Sequence, residues 1–131
     1  MDLAERVREW GAVPMFVTQS RGDSKVVDGK IMGLETTRTH VGDVHVDGIL
    51  GRLVVTNTNG VDYYLMLSLF NRAMLQVCRA VEGICIDLAG ELQFQTGDFY
   101  HHTHNASRGT ERIGAYLFRK LRERLIAIPD R

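Results

Sequence analysis

Apolar residues recur along this chain with two different periods, and the switches between them mark out its elements. Leu3, Val7 and Trp10 share one face of a short helix, which Asp2 can cap and Gly11 can end in a left-handed conformation. Val13-Pro14-Met15-Phe16-Val17-Thr18 is a near-continuous apolar run, which predicts a strand buried on both faces. Its proline falls among the first residues, where a strand tolerates one. Hairpin signals follow. Lys25 to Met32 centres on Asp28-Gly29, residue types that supply the positive φ angles of a type I′ turn. Val44 to Leu50 repeats the signal with Asp47-Gly48, and Leu53 to Thr56 reads as a further strand. From Asp62 to Val81 the helical period returns, with Leu65, Met66, Leu69, Phe70, Ala73, Met74, Val77 and Val81 in a broad apolar stripe and Gly83 to end it. Ile84-Cys85-Ile86-Asp87-Leu88 predicts a second buried strand. A loop from Ala89 to His104 leads to a last helix from about Ala106, where Ile113, Leu117, Leu121 and Leu125 recur every four residues.

Helix and strand alternate on either side of a hairpin-rich segment of about residues 20–60. That order implies an α/β fold whose core strands run parallel and are joined by helical crossovers. A chain of 131 residues is one domain and can bury roughly two thirds of its unfolded surface. The formal net charge of +0 argues against nucleic-acid binding by bulk electrostatics. Arg119, Lys120, Arg122 and Arg124 cluster where they complement the negative end of the last helix. No apolar run reaches membrane-spanning length, and the start, Met1 to Glu5, is not the start of a secretory signal. The expected compartment is therefore the cytoplasm. Cys78 and Cys85 fall on a helix and a strand, and we expect two buried thiols rather than a disulfide or a metal site.

Chemistry concentrates in Asp98-Phe99-Tyr100-His101-His102-Thr103-His104-Asn105, at a loop-to-helix junction. A histidine there can be held on one side and face a cleft on the other, and an imidazole takes up and returns a proton near neutral pH. His104 is the leading candidate for a general base. The competing reading is a structural or surface histidine.

The segment from Phe99 to Leu117 resembles the C-terminal block of the SGNH hydrolases, the GDSL-type esterases and lipases. That block reads Asp-x-x-His, a short polar stretch, a Gly, and a helix bearing Ile or Ala and Leu. Gly11 to Gln19 resembles the family's fourth core strand and its lead-in, Phe70 to Leu75 its next helix, and Ile84 to Ala89 its fifth strand. The resemblance implies part of a three-layer α/β/α, flavodoxin-like sheet, carrying a hairpin-rich insertion. It puts His104 in the place of the catalytic histidine. In that mechanism the histidine removes the proton of a serine hydroxyl as it attacks a small acyl ester, and then protonates the leaving alcohol. No cofactor is implied.

Two departures shape what the resemblance implies. The place of the triad acid, three residues before the histidine, holds His101. A neutral imidazole there can orient His104 but brings no charge, and losing that charge costs about 10⁴-fold in serine proteases. Asp98 is the nearby substitute. The family's serine block belongs before the region matched, so the nucleophile is expected on another segment or chain. Gly22-Asp23-Ser24 is the local match, after a different strand, and makes Ser24 the candidate within this chain.

The resemblance also implies a sheet of about five parallel strands, which leaves one flank of Met15–Val17 without its neighbour. An open edge invites a homodimer or pairing with an N-terminal segment. The hairpin-rich segment would leave the carboxyl end of that strand as a lid or specificity wall. Two other functions fit the same residues. One is a truncated, non-catalytic module that keeps the layered core. The other is a small metal-binding protein built on His101, His102, His104 and Asp98, with His40 and His45 approaching.

Overall fold

The structure, a computed structural model, describes residues 3–33, 39–40, 60–95 and 97–126. In chain order its elements are α1 (Leu3–Glu9), β1 (Met15–Val17), β2 (Ser24–Val27), β3 (Lys30–Gly33), β4 (Thr39–His40), α2 (Gly60–Ala80), β5 (Ile84–Ile86), α3 (Leu88–Glu91) and α4 (Ser107–Ile126). It is a mixed α/β fold around a small parallel sheet. β1 and β5 pair in parallel, with Phe16 opposite Cys85, and the Thr18 amide extends the ladder by donating to the Ile86 carbonyl at 3.0 Å. β2, β3 and β4 form a separate antiparallel sheet. The predicted hairpin turn is present, with Asp28 and Gly29 both at positive φ, 51° and 74°. The second predicted hairpin, Val44 to Leu50, and the strand at Leu53 to Thr56 lie outside the described residues. No helix among the described residues is long and apolar enough to cross a membrane.

The core gathers under α4. Ile86, Leu88 and Tyr116 are buried, and Val17, Ile84, Leu92, Phe94, Ile113, Leu117 and Leu121 pack on them. Ile113, Leu117 and Leu121 of the stripe read from the sequence therefore meet the parallel pair. A short helix, α3, occupies the start of the span expected to be a loop. Asp87 caps it by accepting from the Gly90 amide, and Thr18 joins β1 to it by donating to Asp87 and accepting from the Ala89 amide at 2.8 Å. Glu91 at its end takes hydrogen bonds from Tyr116 and Lys120 of α4.

Three local expectations are corrected. α1 ends as predicted, with Gly11 at φ 74° and the Ala12 amide donating back to Val7. Its apolar face, however, is not core: none of its residues is buried and Trp10 is 80% exposed. β1 is buried less than a two-sided core strand, because it has a single neighbour among the described residues. α2 ends at Ala80, and Glu82 rather than glycine takes the left-handed position at φ 50°. Gly83 serves the next contact instead: a Cβ there would meet the Pro14 carbonyl at 2.9 Å, where the β5 amide of Ile84 also bonds.

That tight turn folds β5 back along α2 and brings Cys78 and Cys85 to a Cα separation of 5.8 Å, where they form a disulfide. Two free thiols were expected; the pairing arises from the turn at residues 81–83, which residue spacing alone does not show. The bond closes a short loop, so its stabilisation should be about 2–3 kcal/mol. Chemical unfolding of the oxidised chain against a Cys78→Ala/Cys85→Ala variant measures it; equal midpoints would contradict the bond.

Tyr116 carries a pH dependence. Burial, with the Glu91 carboxylate beside it, pushes its hydroxyl up from 10.0 to about 12. A raised folded value means this stabilisation is complete below the unfolded value and is lost as pH rises through the folded one. Stability should therefore fall between about pH 10 and 12, and Tyr116→Phe should flatten that stretch in thermal unfolding. Identical profiles would refute the assignment.

Candidate functional site

The histidine loop leaves the short segment after α3 and returns to the start of α4. Its two arms meet in an isolated antiparallel bridge between Phe99 and Asn105. At its tip the His104 carbonyl accepts from the Tyr100 amide at 3.2 Å and its amide donates to the His101 carbonyl at 3.3 Å. The loop is fastened at two places. On one side the Gly22 amide, in the loop after β1, donates to the His102 carbonyl at 2.8 Å. A Cβ on Gly22 would overlap Phe99, so only glycine allows this approach. On the other side stands Asp98.

Asp98 is fully buried. Its Oδ2 accepts from the Gln95 amide at 2.7 Å and from Arg112, and Arg108 lies 3.8 Å from Oδ1. Arg112 also donates to the Gln93 carbonyl and Arg108 to the Gln95 side chain, both at 2.6 Å. The Asp98 carbonyl accepts from the Ala106 amide at 2.9 Å. A buried carboxylate survives only with such partners, and here it lies at the N-terminal end of α4, where a negative charge is favoured. Ala106, not Ser107, occupies the position before the helix. A methyl on Gly109 would run into the Asp98 carbonyl.

The predicted site residues separate into two groups. His101, His102 and His104 gather at the loop tip, with the His101 ring 4.6 Å from His102 and 5.4 Å from His104 between centroids. His104 is exposed and stacks on Tyr100 at 5.8 Å, with Thr103 Oγ1 3.4 Å from its Nδ1. Asp98 is directed away from them, into α4. His104 thus has Thr103, Tyr100 and His101 around its ring, and the carboxylate nearest in sequence is engaged by arginines. No group of three His, Cys, Asp or Glu able to hold a metal occurs among the described residues; His45 lies outside them.

Ser24 opens β2 and lines an open crevice of about 770 Å³ at the carboxyl ends of β1 and β5. None of the three histidines lines that crevice. It adjoins their loop through Phe94, whose ring is 5.0 Å from Phe99, and through Arg21, next to Gly22. Arg21 is itself held by a bidentate pair with buried Asp23 and lies 4.1 Å above the Tyr63 ring. The arrangement can present an imidazole to solvent beside a crevice of mixed polar and apolar lining. It holds no charge against the ring of His104.

Sequence reasoning missed Arg112, Arg108, Gln95 and Gly22 as the residues that shape this loop. One signal was available: Gly109 within a strong helix costs stability relative to Ala unless something packs on it. Comparison of the chain with models of protein families, with curated proteins and with solved structures gives no match.

Loss of the Asp98 pair should be expensive. Asp98→Ala should destabilise the chain by roughly 3 kcal/mol and Gly109→Ala by about 1–3 kcal/mol, whereas exposed His104→Ala should stay within about 0.5 kcal/mol. Urea unfolding checks all three; an Asp98→Ala variant as stable as the parent would contradict the buried network.

Proposed function

We propose that this chain is the C-terminal part of an SGNH-type ester hydrolase and supplies its general base, His104. The observation that carries the reading is the fastening of an exposed histidine beside a crevice at the carboxyl ends of two parallel strands, where α/β sheets bind ligands. β1 and β5 correspond in this reading to the fourth and fifth strands of a three-layer sheet. The base would take the proton of a serine carried by another segment or chain, as it attacks a small acyl ester. Ser24 is the weaker alternative nucleophile, since it lines the crevice while the histidines do not. The flank of β1 that has no strand neighbour among the described residues is where a second copy or the serine-bearing segment would pair.

One observation favours a second reading, a non-catalytic module. The only acid of the cluster is paired with Arg112 through Oδ2, with Arg108 3.8 Å from Oδ1, so an imidazolium formed at His104 gains no partner charge. The compartment follows the cysteines: a cytoplasmic chain would hold two thiols and an oxidising compartment the disulfide.

Hydrolysis of 4-nitrophenyl acetate separates the readings. With the serine-bearing segment or chain present, a base at His104 predicts a loss of about 10²-fold in His104→Ala, with His102→Ala unaffected. A rate unchanged by His104→Ala contradicts the proposal, and a rate no greater than that of free imidazole supports the non-catalytic module.

A further inference from the structure

α2 follows its sequence pattern only in part: Leu65, Met66, Leu69, Met74 and Val81 are half-buried. Phe70 and Val77, from its apolar stripe, are 63% and 53% exposed. Ser68, Asn71, Arg72 and Arg79 line the crevice at the sheet's carboxyl end. Leu67 and Leu75 line it with them, so α2 brings both polar and apolar side chains to the concave side while Phe70 faces out. The Asn71 Oδ1 accepts from the Gln19 amide at 3.0 Å and its Nδ2 donates to the Gln19 carbonyl at 2.7 Å, which clamps α2 to the loop after β1. That clamp makes a fixed wall.

Charge in the crevice is unbalanced. Arg21 is neutralised by Asp23. The Asp87 carboxylate is directed at the Thr18 hydroxyl and the Gly90 amide. Arg72 and Arg79 have no carboxylate within ion-pair distance among the described residues. They stand two helical turns apart, a rise of ~10 Å, so both guanidinium groups can reach one anion between them. Guanidinium groups match phosphate oxygens bidentately. Ser20, Ser24 and Tyr64 bring hydroxyl-bearing side chains to the crevice beside Leu67, Leu75 and Phe94, and its volume suits a ligand larger than a bare ion.

We propose that this crevice binds an organic phosphate that also bears hydroxyl groups, such as a sugar phosphate, with the phosphate held by Arg72 and Arg79. In the hydrolase this ligand is the alcohol part of the ester; that clause alone rests on the hydrolase reading. The binding itself does not.

Isothermal titration calorimetry of the full chain with glucose 6-phosphate, inorganic phosphate and glucose tests the site. Glucose 6-phosphate should bind, and tenfold or more weakly in Arg72→Gln/Arg79→Gln. Its affinity should fall with added salt, and both single sources, phosphate and glucose, should bind more weakly. Thermal unfolding confirms that the double variant is folded; a salt-insensitive affinity in the parent chain sinks the proposal without any variant. Equal binding by the double variant, or none by the parent, overturns it. Inorganic phosphate binding as tightly as glucose 6-phosphate overturns the part played by the hydroxyls. A chain that hydrolyses esters through His104 but ignores glucose 6-phosphate defeats this site alone, and one that binds it without hydrolysis defeats the hydrolase alone.

Discussion

A carboxylate withdrawn from water sets the shape of the region that carries the chemistry. Asp98 is held by the Gln95 amide, Arg112 and Arg108, and its own carbonyl receives the Ala106 amide at the threshold of α4. Taking an ion out of water costs several kcal/mol unless its partners are fixed, so the partners and the loop are ordered together. The same contacts have a consequence for catalysis. An acid paired with Arg112 at the threshold of α4 gives the ring of His104 no hydrogen bond. The orientation of that imidazole comes from the backbone hydrogen bonds of the loop tip, the Thr103 hydroxyl and stacking on Tyr100.

The second fastening, from Gly22 to His102, ties this loop to the exit of β1. The histidine loop, the β1 exit and the first turns of α4 therefore form one connected region at the carboxyl end of the parallel pair. The crevice lies against it, walled by α2 through the Asn71–Gln19 clamp. This proximity is what the proposed hydrolase and the proposed phosphate site have in common. They differ in the residues they use: an exposed imidazole in one, two guanidinium groups in the other.

Elements that answer to local rules were legible in the sequence. The stripe of Ile113, Leu117 and Leu121 identified the buried face of α4, Asp28-Gly29 identified a hairpin, and Gly11 identified the end of α1. The two apolar runs around Phe16 and Cys85 were legible as strands, and their parallel pairing followed from the helix between them. What failed depends on long-range packing. The apolar stripe of α2 pointed to Phe70 and Val77 as core, but both are exposed, while Leu65, Met66, Leu69 and Met74 of the same stripe are half-buried. The disulfide depends on the fold-back at Glu82-Gly83, and two cysteines seven residues apart do not announce it. In the candidate site, the histidine cluster was visible as a cluster. The allegiance of Asp98 to α4 was not, because Arg108 and Arg112 read as ordinary solvated helix residues until Gly109 is seen to let the loop backbone touch the helix.

Amide hydrogen exchange, resolved by residue, tests the central claim most directly. If Asp98 locks the loop to α4 and Gly22 locks it to the β1 exit, the Ala106 and Gly22 amides exchange slowly, and both lose protection together in Asp98→Ala. Exchange of these two amides at the rate of an unstructured chain in the parent protein, while α4 stays protected, would contradict the account.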